Sequence, residues 1–504
     1  MAAIVAVAIA GSSAVALASP PSTASAADDR LATSSVSTFK LQPAKGAVTV
    51  SVDLSVTNTG GARAVNRSFP LVIQKGASDL RVDGKRTKIQ QVEERDGLDR
   101  YEVAYPKIKA GQTRKLTISY ELPAAAAESE EPTRVSDAYA HFCWHGQPTD
   151  ETEVKAILPA GYQPDVLPEG VAATTVNGRT KLTPSGKAYD RWVHCVESTQ
   201  PSELLEETVV ADTGEEVVIE GWPEDPEWVA AVTDQIEVAL PVLTEWVDLP
   251  LPHDVITIRQ SSTQALNDYD GTFDHDEELI RVGETAEYST VPTHELAHAW
   301  FNKSTMAEMW MIEGGAEWAA KRTHGFDCQD PDTFDSAGTA SLRNWEVTTV
   351  GDANDLGDLV SYQYAAACWI HQEITAAIGD EGMADVNHAL IERLPKYGDS
   401  SDAKARTPDW REWLDAVDEV GLVPAGETDL EIAERLLVRF GVAQSAELAG
   451  RSDARGWYRA AIDAWGDDVP VVISRAMDEW DFDTAMAAIE VTDEIMGVIT
   501  EALE

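Results

Sequence analysis

The sequence predicts a multidomain α+β protein, with an N-terminal β-sandwich, a mixed α/β domain after it and a C-terminal α-helical domain. Three observations carry this. At 504 residues the chain is too long for one compact core. From about residue 35 to residue 210, apolar and polar residues alternate in short runs, the period of strands with one face buried. Near Asp212 that texture gives way to helical spacing, which dominates from Thr293 to the end.

Taken in order, residues 1–27 carry no charge, run through AIVAVAIA and AVALA, and end in Ala24-Ser25-Ala26, the small-x-small pattern of an export signal. No Lys or Arg precedes the apolar run, so an uncleaved N-terminal anchor is the other expectation for this segment. Residues 28–212 form the expected sandwich, with strands such as Val48-Thr-Val-Ser-Val-Asp-Leu-Ser-Val56 and Leu116-Thr-Ile-Ser-Tyr120 separated by turns at Asn58-Thr-Gly-Gly and Val82-Asp-Gly-Lys. The Ala-Glu-rich stretch Ala124 to Pro132 is expected to be an exposed loop within it. The mixed domain is placed at 213–385. There Trp222-Pro-Glu-Asp-Pro-Glu-Trp228 opens a helix reaching Trp246, followed by strands at Val255-Ile-Thr-Ile-Arg259 and Leu279-Ile-Arg-Val282. Residues 386–504, rich in Ala, Leu and Glu, complete the chain as the helical domain.

Hydrophobic residues make up 43% and charged residues 25% of the chain, a globular composition. The 87 acidic against 39 basic residues leave a formal net charge of -48, which repels phosphate backbones and excludes nucleic acid as a partner. Such a surface fits solubility or tolerance of salt. No stretch beyond the first 27 residues is long and apolar enough to cross a membrane, so the mature protein is expected in a secreted or extracytoplasmic setting. Four cysteines, an even number in an exported chain, are expected to form two disulfides. Shared domains favour Cys143 with Cys195 and Cys328 with Cys368 among the possible pairings.

The chemistry concentrates at Thr293-His294-Glu295-Leu296-Ala297-His298. On a helix, positions four apart share a face one turn from each other, so His294 and His298 can hold one zinc ion between them. Glu295, beside the first ligand, is placed to take a proton from water attacking a carbonyl. A catalytic zinc needs a third protein ligand, and Trp310-Met-Ile-Glu313-Gly-Gly-Ala-Glu317-Trp318 offers two carboxylates one helical turn apart.

At these residues the sequence resembles the gluzincin metallopeptidases, most closely the aminopeptidase N-like branch, whose HExxH is followed by a second helix beginning near W-x-x-E-G. HELAHAWF and WMIEGGAEW match that pattern. The resemblance implies a thermolysin-like catalytic domain, with His294, His298 and Glu313 as zinc ligands and Glu295 as general base. Fourteen residues separate His298 from Glu313, shorter than the family's usual interval, which would select Glu317 instead. The W-x-x-E-G context favours Glu313, and Glu317 then becomes a carboxylate that bonds the far nitrogen of a zinc histidine. The resemblance also implies a tyrosine that stabilises the oxyanion. Counting back from Gly379 favours Tyr364 in Ser361-Tyr-Gln-Tyr-Ala-Ala-Ala-Cys368, with Tyr362 as the alternative. Leu279-Ile-Arg-Val282 falls where the family keeps an edge strand that pairs with substrate. No G-x-M-E-N segment, which grips the α-amine in true aminopeptidases, is present.

The expected function is therefore zinc-assisted hydrolysis of peptide bonds in peptide or protein substrates. An endopeptidase or a hydrolase of a non-peptide amide is one alternative. A catalytically inactive surface binding protein with structural zinc is another, against which the base beside the first ligand argues. His141-Phe-Cys143-Trp-His145 with His194-Cys195 is expected to be a disulfide flanked by histidines, not a second metal site. The triplets Asn66-Arg-Ser68 and Asn302-Lys-Ser304 match the glycosylation acceptor only as a short pattern.

Overall fold

The alternation of the first two hundred residues becomes sheet. In Ala47–Asn58 the residues Val48, Val50, Val52, Leu54 and Val56 all point into one core, as a period of two requires. The structure, a computed structural model, describes residues 31–503 apart from 61–67, 87–89, 94–97, 127–128, 130, 168–169, 185–192, 267–268, 339, 344, 346–352, 398–405, 420–426 and 467–468. The segment 1–27 and Asn66 lie outside the described residues.

An eight-stranded sheet is built around Leu31–Gln42, which pairs antiparallel with Ala47–Asn58 and parallel with Glu151–Leu158. A four-stranded sheet containing Tyr139–His145 and Val193–Thr199 and a three-stranded sheet containing Ser68–Gln74 contribute to the same apolar core, with Phe39, Leu71, Ile118, Trp144 and Val196 buried in it. Cys143 and Cys195 face each other in register across the strand pair Tyr139–His145 and Val193–Thr199, and they form the first disulfide.

The chain then enters a five-stranded mixed sheet, ordered Leu205–Val210, Glu216–Gly221, Val255–Ser261, Leu279–Gly283, Gly271–Asp274. The three central strands are parallel, and helix α1, Pro226–Val247, makes the first crossover between them. Asp225 caps α1 by accepting from the Trp228 amide at 3.4 Å. Leu279–Gly283 is not the edge strand that the sequence suggested. It lies between two neighbours with all five residues buried, and the edge is the short antiparallel strand Gly271–Asp274. Four residues, two of them polar, gave too little periodicity to be read as a strand.

Ion pairs between carboxylates and arginines tie the sheet-rich part to this mixed sheet. Arg259 contacts Asp165 at 3.1 Å, and Arg134 contacts Glu284 at 3.0 Å. Tyr139 donates to Glu197 at 2.9 Å, and Arg281 approaches the same carboxylate at 3.5 Å.

Helices follow: α2 Val291–Ala297, α3 Met309–Thr323, α4 Ala353–Ile391, α5 Trp410–Glu419, α6 Glu427–Arg439, α7 Ser445–Leu448, α8 Arg451–Trp465, α9 Val471–Asp478 and α10 Phe482–Leu503. In α4 the helical geometry breaks at Gly379, whose φ of 82° suits a residue without Cβ. One apolar cluster runs from Val209 in the mixed sheet through α1 to α4 and on to Ala443, while α8 to α10 pack around a smaller one containing Tyr458, Ile473 and Ile489. The second disulfide joins Cys328, after α3, to Cys368 on α4. Among the described residues no helix is long and apolar enough to cross a membrane.

Two buried histidines set an acid limit on this fold. Burial holds His145 down to about 4 and His371 down to about 3, and both ring nitrogens of His371 lack a partner between Trp310 and Trp413. Both are neutral when folded, whereas in the unfolded chain they take up a proton below their ordinary value of 6.5. Their stabilising contribution is complete above that value and is lost as the pH falls towards the folded values, at about 1.4 kcal/mol per pH unit for each histidine. Denaturant melts between pH 7 and 4.5 should show a shallower acid limb for His371→Leu than for the wild type, by about one histidine's share.

Candidate metal centre

Helix α2 is short and wholly buried, so its two histidines project into protein and not into solvent. Their Nε2 atoms lie 3.0 Å apart and their ring centroids 4.8 Å apart, as one helical turn allows. The opposite ring nitrogens are committed elsewhere. His294 Nδ1 donates to Glu317 Oε2 at 2.9 Å, and His298 Nδ1 donates to the Phe301 carbonyl at 2.8 Å. With each Nδ1 carrying its proton, both Nε2 lone pairs can face the same point.

The turn after α2 is fixed by Asn302, whose amide donates to the carbonyls of His298 at 3.2 Å and Ala299 at 3.0 Å. Asn302 is buried with its amide in use, so the triplet Asn302-Lys-Ser304 serves this turn and offers no accessible acceptor. Phe301, delivered by the turn, packs against α3. A Cβ on Gly315 would come within 2.6 Å of its ring, and one on Gly314 would come within 2.8 Å of the Ala367 carbonyl on α4. Only glycines let α3 sit this close to both neighbours.

That closeness brings Glu313 to the imidazoles. Its Oε2 lies 3.5 Å from Nε2 of His294 and 3.6 Å from Nε2 of His298, and candidate ligand atoms of the three residues all lie within 4.8 Å of one another. Glu317, one turn on, sits on the far side of the His294 ring. Of the two carboxylates left open by the sequence, Glu313 shares the point where the Nε2 atoms converge and Glu317 does not.

Glu295 is also fully buried, with neither carboxylate oxygen bonded. The edge strand covers it, since a Cβ on Gly271 would meet Glu295 Cγ at 2.7 Å. Tyr364, on α4, has its ring 6.4 Å from that of His294 and 5.0 Å from that of Trp345, and its buried hydroxyl is unbonded. Tyr362, two positions earlier and so on another face of the helix, packs towards Phe334. The structure thus brings Tyr364 to the histidines and leaves Tyr362 away from them.

The charge state bears on what the site can hold. Burial opposes a proton on His294, but the carboxylates of Glu313 and Glu317 overcome this and lift it to about 10. Burial raises Glu295 to about 8 and lowers His298 to about 4. Burial also drives Tyr364 well upward, with Glu313 adding to it. Two buried carboxylates, Glu295 and Glu313, and the partly buried Glu317 face two imidazoles, and both oxygens of Glu313 and of Glu295 have no hydrogen-bond partner. Burying so much unpaired anionic character costs several kcal/mol unless a cation enters. Two imidazoles and a carboxylate are the donor set that zinc takes when one position stays open. His294, His298 and Glu313 fit zinc. The other cluster, His141 with Cys143 and Cys195, has its sulfurs joined in a disulfide and its imidazole bonded to the Pro132 carbonyl at 2.8 Å.

No family model matches the chain, and no curated protein matches it. Among solved structures, the chain is similar to an M1 zinc metallopeptidase from Deinococcus radiodurans, at 15% identity with a TM-score of 0.37, over 83% of this chain and 96% of that one. A mutant of that metallopeptidase bound to a Tyr-Ser-Ala substrate is similar at 16% identity and a TM-score of 0.35, over 82% and 95% of the two chains. At such scores the likeness carries no weight, and the reading of the site rests on its own geometry.

Gly271, Asn302, Gly314 and Gly315 escaped the sequence reading as site residues, although the Glu-Gly-Gly string was visible. Two adjacent glycines inside a helix cost stability, which is a signal of close packing. Gly314→Ala must push α3 off α4, and thermal melts should show a loss of about 1–3 kcal/mol despite the better helix propensity of alanine.

Proposed function

We propose that this chain is a zinc-dependent metallopeptidase, aminopeptidase-like, that hydrolyses peptide bonds with a single metal ion. One observation carries the reading. Two imidazole Nε2 atoms and the Glu313 carboxylate converge beside a buried, unbonded Glu295 and an unbonded Tyr364 hydroxyl. A purely structural site has no use for the last two groups.

His294, His298 and Glu313 hold the ion, and Glu317 fixes the tautomer and orientation of His294 through the 2.9 Å bond to Nδ1. Zinc bound there supplies a Lewis acid that polarises the substrate carbonyl and acidifies water. Glu295 takes the proton of the attacking water, a task that burial favours by raising its proton affinity, and passes it to the departing amine. The Tyr364 hydroxyl donates to the carbonyl oxygen as negative charge develops there, with its proton kept in place by burial. The outer edge of Gly271–Asp274 offers main-chain groups to an extended peptide beside Glu295. The two disulfides support an exported protein.

An endopeptidase, or a hydrolase of another amide, is the second reading, favoured by the missing G-x-M-E-N segment. Purified protein with zinc, incubated with a mixed peptide library, should cut it, and Glu295→Gln should cut about 10²–10⁴-fold more slowly while keeping its metal. Loss of single N-terminal residues in the mass spectra identifies the aminopeptidase mode, and internal cuts identify the endopeptidase. Stoichiometric zinc without cleavage by either protein would sink the peptidase reading in favour of a binding protein or a non-peptide substrate.

Metal content separates the two carboxylates. Glu313→Ala should lose zinc on gel filtration, whereas Glu317→Ala should keep it with affinity about 10–100-fold weaker. Full retention by Glu313→Ala would exclude it as a ligand.

A further inference from the structure

Glu317 has a second contact that the reaction as described does not use. Its Oε2 accepts from His294 Nδ1, while its Oε1 lies 3.4 Å from Lys321 Nζ, one turn further along α3. Both partners are within reach because residues four apart on a helix share a face, and Glu317 precedes Lys321 in the order that favours such a pair. Glu317 is only 14% exposed and Lys321 only 28%, so water screens the contact less than it screens a surface pair. The result is a chain of three side chains, Lys321, Glu317 and His294, leading from the rim of α3 to the point where the ligand atoms converge.

A carboxylate on a free side chain has rotamers to choose from, and a single hydrogen bond to one oxygen leaves the other unanchored. An ion pair at the other oxygen favours the orientation in which Oε2 stays on the Nδ1 proton. His294 Nε2 is then presented as a lone pair at the angle set by the ring. A neighbouring brace lies beside it, since Thr293 Oγ1 on α2 and Nε2 of His324, the residue that follows α3, are 2.8 Å apart.

We propose that Lys321 is a positioning residue of the metal centre, acting on the bound ion only through Glu317 and His294. This rests on the zinc reading above. A charge effect alone has the opposite sign, because removing a cation near a dication strengthens the dication's binding. A residue serving only the stability of α3 moves neither affinity nor spectrum.

The test measures zinc affinity by competition with a chromophoric chelator, on the full chain, for wild type, Lys321→Met, Lys321→Arg, Glu317→Gln and Lys321→Met with Glu317→Gln. Lys321→Met should weaken zinc about tenfold, Lys321→Arg should recover most of that loss, and Lys321→Met should add nothing once Glu317 is Gln. The visible spectrum of the cobalt-substituted protein should change in Lys321→Met and be restored in Lys321→Arg. Unchanged or tighter zinc in Lys321→Met, or additive losses in the double variant, overturns the proposal. Absence of stoichiometric zinc from the wild type overturns the zinc reading itself, which keeps the two failures distinct.

Discussion

The second half of the structure is arranged around one electrostatic demand, that the carboxylates of Glu295, Glu313 and Glu317 and two imidazoles share a largely buried space. Left to themselves, such groups would draw water in or pull protons on. Burial opposes a proton on His294, while Glu313 and Glu317 favour positive charge there. A divalent cation is what the proposed function places there, and it would answer the unbonded oxygens together.

Meeting that demand requires helices closer together than side chains ordinarily permit. Gly314 and Gly315 bring α3 against α4 and against Phe301, and this approach carries Glu313 to the imidazoles. Phe301 is held by a turn that Asn302 closes, and the carbonyl of Phe301 is in turn the acceptor for His298. Packing and chemistry thus use the same residues. The disulfide Cys328–Cys368 ties the chain leaving α3 to α4 four residues past Tyr364, linking the elements that carry Glu313 and the tyrosine.

The mixed sheet contributes position more than chemistry. Its parallel centre is buried between α1 and the sheet-rich part, which leaves the short strand Gly271–Asp274 as the edge next to Glu295. Charged contacts such as Arg259 with Asp165 and Arg134 with Glu284 hold the sheet-rich part against the other face. These contacts join residues far apart in sequence, and no local pattern announces them.

Much of the site was legible in the chain because its spacing is helical. His294, Glu295 and His298 lie within one and a half turns, and Glu313 with Glu317 within one, so period and residue type alone placed them together. The alternating strands and the switch to helices were readable for the same reason, since each is a regularity of local order, and the cysteine pairs followed from which domain each cysteine falls in. The choices between alternatives were not local. Which carboxylate faces the Nε2 atoms depends on how far α3 can approach α4, and which tyrosine turns towards His294 depends on the rotation of α4. Which strand forms the edge depends on a four-residue segment too short to show a period. The sequence by itself determined the donor set and its helical frame. Only the tertiary structure decided which atoms meet, because close approach between segments is set by the absence of side chains at Gly271, Gly314 and Gly315, and an absence has no periodicity to read.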